Sequence, residues 1–159
     1  MEIKIRPLVE EDAYTSVKWR NDSEVFKYTG NTYDHVITIE SELSWIRKVM
    51  SNPNEYRCAI IADRKYVGNI YLTDIYNGCA NYHIFIGDKN SWGKGIAKEA
   101  SKQIIRYGFE NLELNEIHLR VKIQNTRAVQ LYNSLGFSLS ASDGEWFEMK
   151  LVKDLCQNH

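Results

Sequence analysis

The apolar residues of this sequence change rhythm after Gly87, and few folds accommodate the change. Before Gly87 they fall in strand-like runs joined by tight turns: Tyr56–Ala62, a turn at Asp63-Arg64-Lys65, Tyr66–Ile75, a turn at Asn77-Gly78, and Ala80–Ile86. An Asn-Gly pair between apolar runs favours a hairpin, because both residues tolerate the positive φ such turns require. These runs predict an antiparallel meander. Beyond Gly87 the spacing is helical. A glycine-containing turn, Asn90–Gly95, leads into a helix from Ile96 to Leu112, with Ile96, Ala100, Ile104 and the Tyr107/Gly108 turn along one side. A strand (Glu116–Ile123), a helix (Asn125–Leu135), a strand (Phe137–Ala141), a turn at Asp143-Gly144 and a strand (Glu145–Val152) follow. Strands that begin as hairpins and then alternate with helices predict a mixed α/β sheet with helices on its faces.

The amino-terminal third is less regular. Ile3 and Ile5 alternate with polar residues up to Pro7, which suits an edge strand. Glu10, Glu11 and Asp12 open a helix at the end where acidic side chains favour the dipole. Tyr14 and Val17 are its expected inner face, and it fades around Trp19-Arg20-Asn21-Asp22. Val25–Asp34, with Gly30-Asn31, reads as a loop. Thr38 caps a second helix running to Met50, with Leu43, Ile46, Val49 and Met50 at helical spacing, and Asn52-Pro53-Asn54 ends it.

A chain of 159 residues, 43% hydrophobic and 26% charged, fits one globular domain over 1–159. Its net charge of −1 gives no general attraction to nucleic acid or to an anionic membrane, so neither is an expected partner. Cys58, Cys79 and Cys156 form no CxxC, and His35, His83, His118 and His159 show no ligand spacing; reduced thiols and no metal are expected. The first residues lack the apolar run of a signal peptide, and no run approaches the ~18 apolar residues of a membrane span. A cytoplasmic protein, monomer or homodimer, is the expectation.

Trp92-Gly93-Lys94-Gly95-Ile96-Ala97 stands between a strand and a long helix. Glycines there allow positive φ and close approach of a ligand to the backbone. The first helical turn has unpaired N–H groups and partial positive charge, which suits a phosphate or pyrophosphate. Lys94, Lys98, Lys102 and Arg106 recur every four residues on the same face. Such a run is ordinarily a solvated helix face; as a ligand surface it would use Lys94 and Lys98. A Rossmann site is a poor fit, because the third glycine is absent and the turn follows a meander. A P-loop is excluded by the missing GK[ST].

The segment Trp92–Ala97 followed by Glu99-Ala100 resembles the acetyl-CoA loop of the GNAT acetyltransferases. It is most similar to the branch with ribosomal-protein N-acetyltransferases, in which Trp often begins the motif. Asn125-Thr126-Arg127-Ala128 through Tyr132 to Leu135-Gly136-Phe137 resembles the same family's N-x-x-A…Y…LGF segment. The two motifs stand in the family's order, and the resemblance spans essentially the whole chain. It implies a mostly antiparallel sheet of about seven strands, splayed between the fourth and fifth, with about four helices. It also implies acetyl-CoA as cosubstrate, no metal, and direct transfer of the acetyl group to a primary amine.

Transfer to an amine requires a neutral amine, stabilisation of an oxyanion and a proton for the thiolate. The resemblance assigns the pyrophosphate to the backbone of the Trp92, Gly93, Lys94, Gly95, Ile96 and Ala97 loop. It places the pantetheine arm in the splay and a backbone amide near Phe85 or Ile86 at the thioester oxygen. Asn125 matches a pantetheine-contacting asparagine, though an ordinary N-cap needs no ligand. Tyr132 matches the proton donor to sulfur, though Ala128, Leu131, Tyr132 and Leu135 also form an apolar stripe. Where many members carry a glutamate base, this chain has Asn81, which accepts no proton and is grouped with the acceptor-binding residues. His83, two residues on and on the same strand face, is the candidate base; water, a backbone carbonyl or Asp74 are the alternatives.

The W-R-N-D segment at Trp19–Asp22, the V-F-K-Y that follows and the Trp45 helix resemble GNAT enzymes that acetylate nucleotide-linked amino sugars. On that reading Arg20 pairs with a diphosphate, Trp19, Tyr28 or Tyr33 stacks on a ring, and Asn21 lies beside them; Lys27 would add charge. A polyamine would instead use Glu24, Asp34, Glu40 and Glu42. Acetylation of a protein amino terminus, or of another small amine such as an antibiotic, remains open. So does a different class: a non-catalytic acyl-CoA-binding module that lost its base.

Overall fold

The computed structural model describes residues 1–25 and 35–154. Seven strands form one sheet in the order β1-β2-β3-β4-β5-β7-β6. They are β1 (Ile3–Pro7), β2 (Tyr56–Ala62), β3 (Lys65–Tyr76), β4 (Cys79–Ile86), β5 (Glu116–Lys122), β6 (Ser138–Ser142) and β7 (Trp146–Val152). The helices are α1 (Ala13–Arg20), α2 (Ile39–Met50), α3 (Ile96–Glu110) and α4 (Thr126–Ser134). Every pairing is antiparallel except β4 with β5, which is parallel. That pairing covers only Cys79–Asn81 against Glu116–His118, so the two strands part beyond it. The splay expected between the fourth and fifth strands is present.

Local chemistry explains the elements. Asn77 (φ 54°) and Gly78 (φ 80°) make the β3–β4 hairpin with both central residues at positive φ. Thr38 accepts the Ser41 amide at the start of α2, and Asn125 accepts the Ala128 amide at the start of α4. Pro7 ends β1 at the sheet's edge, where a missing N–H costs nothing.

The main core lies under α3 and α4. Ile70, Leu72, Ile104, Ile117 and Met149 are buried there, with Ile96 and Ala100 from the inner face of α3. Tyr82 crosses this core and shares a hydrogen bond with Ser101 on α3. On the opposite face Leu8, Ala59 and Tyr71 form a smaller cluster with Trp45 of α2. The inner face of α1 differs from the expected one: Tyr14 is 60% exposed, while Ala13, Ser16 and Trp19 are buried. The acidic cap residue Asp12 is also buried, paired with Arg6 at 2.8 Å.

Candidate active site

The parting of β4 from β5 opens a cleft of about 1020 Å³ that runs through the sheet. One end is bounded by the turn before α3, the other by α1, α2 and β3, and the far wall by β5, α4 and β7. Because the strands no longer pair, β4 offers backbone groups to the cleft. The Gly87 amide donates to Val67 on β3 and the Phe85 carbonyl faces Gly68 on β3. The Ile86 carbonyl, one residue between, accepts the Trp92 indole N–H at 2.7 Å on the open side. Successive residues of a strand alternate in direction, so the Ile86 and Ile84 amides face the cleft. The Phe85 amide turns toward β3, which corrects its expected role, although its side chain lines the cleft.

Gly93 and Gly95 both have φ 77°, the left-handed region that carries a steric cost for any other residue except asparagine or aspartate. Gly95 is the N-cap of α3, and a side chain placed there would touch nothing within 4 Å. The turn therefore presents the first amides of a 15-residue helix to an open surface. Lys94, Lys98 and Arg127 line the same end of the cleft, whereas Lys102 and Arg106 do not. Arg127, in the first turn of α4, was not singled out by the sequence, although it stands inside the Asn125–Ala128 motif. Its Nη2 comes within 3.7 Å of where a Gly93 side chain would begin.

Tyr132 projects from α4 into the junction of core and cleft. Its ring meets Tyr82 edge-on at 5.6 Å and Phe137 at 6.0 Å. Burial holds its pKa well above the usual tyrosine value, so the hydroxyl stays protonated. That hydroxyl has no hydrogen-bond partner among the described residues, and no buried side-chain polar atom is left unpaired, so it reaches the cleft surface. Asn125 caps α4 as expected and also lines the cleft.

His83 lines the opposite wall, on the face of β4 toward α1 and α2. One ring nitrogen is 3.0 Å from the Thr73 hydroxyl, and either group can be the donor. The ring is open to cleft water yet hemmed in by protein. That crowding, then the charge of Arg57, holds its pKa below the usual histidine value, while Asp74 and Glu55 oppose. Asn81 does not line the cleft; its amide N–H donates to Asp74 at 3.0 Å and steadies that carboxylate. Asp74 does line it, with φ 50° at an irregularity in the β3–β4 register.

The expected acceptor residues are placed differently from the sequence reading. Trp19 is buried against Tyr66 and Phe85, at ring distances of 4.7 and 6.0 Å. Its ring lies where a Gly87 side chain would be, 2.0 Å from that position, so it packs and does not stack on a ligand. Arg20 lines the cleft, but its Nε is 2.9 Å from the buried Glu42 carboxylate and its guanidinium lies 3.9 Å over Trp45. A diphosphate would have to compete with that internal partner. Glu42 also accepts from Ser16 at 2.7 Å, so it is not available to a polyamine. Asn21 bridges backbone: its side chain binds the Val17 and Ile37 carbonyls and the Ile37 amide. Glu24 is held by Lys89 at 2.8 Å, and Glu40 is exposed on α2 outside the cleft lining. Tyr28, Tyr33, Lys27 and Asp34 lie outside the described residues.

Several lining residues carry no sequence signal that separates them from core or surface. Arg57 and Glu55 pair at 2.6 Å; Arg57 lies 4.3 Å over Tyr71 and 5.2 Å from Trp45. Across the cleft Arg120 sits 4.7 Å over Trp146. Away from the cleft, Cys79, Glu116 and His118 bring one ligand atom each to within 4.8 Å of one another. Sequence spacing hid this group because the parallel register of β4 and β5 assembles it. Cys58 is buried and its thiol is pushed up to about 11 by that burial, so it is no nucleophile.

A splayed mixed sheet and a glycine turn feeding a helix N-terminus are features of a GNAT-type acyltransferase. The acetyltransferase (GNAT) domain family matches residues 2–138, and the chain belongs to that family. GNAT acetyltransferases use acetyl-CoA, so the activity class is N-acetyl transfer. Among relatives, an uncharacterized N-acetyltransferase, p20, of Bacillus licheniformis is 32% identical over 85% of this chain and 78% of its own. The spermidine N(1)-acetyltransferase of Escherichia coli is 30% identical over 86% and 73%. Of solved structures, Vibrio cholerae spermidine N-acetyltransferase in complex with CoA and spermine superposes with TM-score 0.85 at 22% identity, over 94% and 95% of the chains. The acetyltransferase PseH of Campylobacter jejuni superposes with TM-score 0.73 at 19% identity, over 96% and 99%. The ribosomal-protein branch suggested by Trp92 is not singled out by these relatives. Among the described residues no helix is long and apolar enough to cross a membrane.

Proposed function

We propose that the chain works as one domain that transfers an acetyl group from acetyl-CoA to the primary amine of a small molecule, with a nucleotide-linked amino sugar as the leading acceptor. The observation that carries the chemistry is that one cleft is lined both by a tyrosine hydroxyl with no protein partner among the described residues and by a histidine whose pKa is lowered. Acetyl-CoA, when bound, supplies the acetyl group as a thioester. The Gly93–Ala97 amides, with Lys94, Lys98 and Arg127, suit its phosphates. The Ile86 and Ile84 amides are oriented to stabilise negative charge on a carbonyl oxygen. His83 accepts the proton that the amine must lose. Tyr132 donates a proton at the sulfur side, and a thiol near its ordinary pKa of ~8.5 needs only a weak acid for this.

The acceptor assignment rests on the ring–arginine pairs of the cleft. Charge balance at the α1–α2 end also admits a polycation: among the described residues Arg57 matches Glu55, but Lys89 is shared by Asp22 and Glu24, and Asp74 has only the neutral Asn81. Trp45 and Trp146 each have an arginine against the ring, a pairing suited to a sugar or base with a phosphate that displaces the carboxylate partners of Arg20 and Arg120. The polyamine reading has its own support in the 30% identical spermidine acetyltransferase. Incubating the protein with acetyl-CoA and a panel of amines, and following free thiol, separates them. Turnover with UDP- or dTDP-linked amino sugars selects the first acceptor, and turnover with spermidine selects the second. Binding of CoA with no turnover on a broad panel, peptides included, would mean a non-catalytic acyl-CoA-binding protein and would defeat the proposal.

A further inference from the structure

Arg57, Tyr71 and His83 stand in one row across β2, β3 and β4. Arg57 pairs directly with Tyr71, and Tyr71 with His83, so all three side chains leave the same face of the sheet. The Arg57 and His83 backbones are two strand spacings apart, about 10 Å. The arginine closes much of that distance by lying 4.3 Å over the intervening Tyr71 ring. Glu55 holds it there at 2.6 Å, and both partners of that ion pair are only 16% exposed, which limits screening by solvent.

We infer that Arg57 is a positioning residue for proton transfer: pinned between Glu55 and the Tyr71 ring, it sets a positive charge in the row of His83 and cancels Glu55, which adds to the effect of the crowding around the ring and leaves the imidazole able to take the proton of the acceptor amine. The inference rests on His83 being the proton acceptor. Without it the local charges work the other way. The groups that line the cleft with His83 on this side include Glu55, one residue before β2, Arg57 from β2, Tyr71, Thr73 and Asp74 from β3, Trp45 from α2 and Arg20 from α1, with Arg120 on the far wall. Of these, the carboxylates Glu55 and Asp74 favour the imidazolium, which cannot accept a proton. Arg20 is committed to Glu42, and Arg120 lies beside Asp143 and Glu148, at 3.6 and 4.0 Å. Arg57 acts twice: it repels a proton from His83 and it neutralises Glu55.

The test follows His83 itself as well as turnover. In the full-length protein, the imidazole is titrated by NMR, with His83→Gln giving the assignment, and kcat/KM is measured against pH. Arg57→Gln should raise the His83 titration and shift the acid limb of kcat/KM upward by the same amount. Each unit of that shift lowers the rate about tenfold at a pH on the limb. Arg57→Lys keeps the charge and should stay near the wild type, which a purely structural role of the guanidinium would not allow. Glu55→Gln should move the titration down, and it supplies a second reading if Arg57→Gln does not fold. An unmoved His83 titration in a folded variant overturns the inference. If the titration moves but His83→Ala keeps wild-type turnover, the coupling stands and the proton-acceptor assignment is what fails.

Discussion

Replacing Glu42 with alanine removes the carboxylate that anchors α1 to α2 beneath the acceptor end of the cleft. That carboxylate is 1% exposed and serves both the Arg20 guanidinium and the Ser16 hydroxyl. Removing one partner of a buried ion pair costs about 3–5 kcal/mol, because the other charge is left without compensation. Arg20 is 13% exposed on the cleft side, so water relieves part of its penalty, and the expected loss is at the low end, about 3 kcal/mol. For a domain of this length each kcal/mol moves Tm by roughly 2–4 °C, which gives a fall of about 6–12 °C. Urea unfolding with the m-value monitored, together with a calorimetric scan, measures both. Glu42→Gln, which keeps an acceptor for Ser16, should lose less. The pair Arg20→Met with Glu42→Leu should recover most of the loss, since apolar residues of similar volume often replace buried ion pairs without penalty. A Glu42→Ala protein within 1 kcal/mol of the wild type, or a double variant no better than the single, would refute this account of the α1–α2 junction.

Further outcomes follow from the same geometry. Tyr132→Phe should reduce kcat about 100-fold. It should leave stability within about 0.5 kcal/mol, since the hydroxyl has no protein partner among the described residues; stopped-flow thiol release and thermal unfolding check the two halves. kcat/KM should be full at neutral pH and fall as pH drops through the lowered His83 pKa, where the base becomes protonated; an acid limb that does not coincide with the His83 titration followed by NMR would remove His83. Gly95→Ala introduces no clash and should cost about 1 kcal/mol of backbone strain, with a larger loss in CoA affinity measured by calorimetry. Gly87→Ala should be far worse, because the new methyl would lie 2.0 Å from the buried Trp19 ring; its soluble yield and Tm should both drop.

The order and type of nearly every described element were legible in the sequence, because they depend on local rules. The Asn77-Gly78 hairpin, the Thr38 and Asn125 caps and the shift from strand to helical spacing each act over a few residues. The glycine turn was legible for the same reason: positive φ at Gly93 and Gly95 is a backbone property, and it sets the first amides of α3 facing outward. Side chains whose fate depends on distant partners could not be placed. Nothing near Trp19 in the sequence tells that Gly87 leaves room for its ring, and nothing near Arg20 tells that Glu42 will claim it. The row of Arg57, Tyr71 and His83 exists only because three strands pair in that register, and Cys79 meets Glu116 and His118 only across the parallel pair. Local steric and hydrogen-bonding preferences determined which elements form; long-range strand register and packing decided which charges neutralise one another, and so what the cleft is left free to bind.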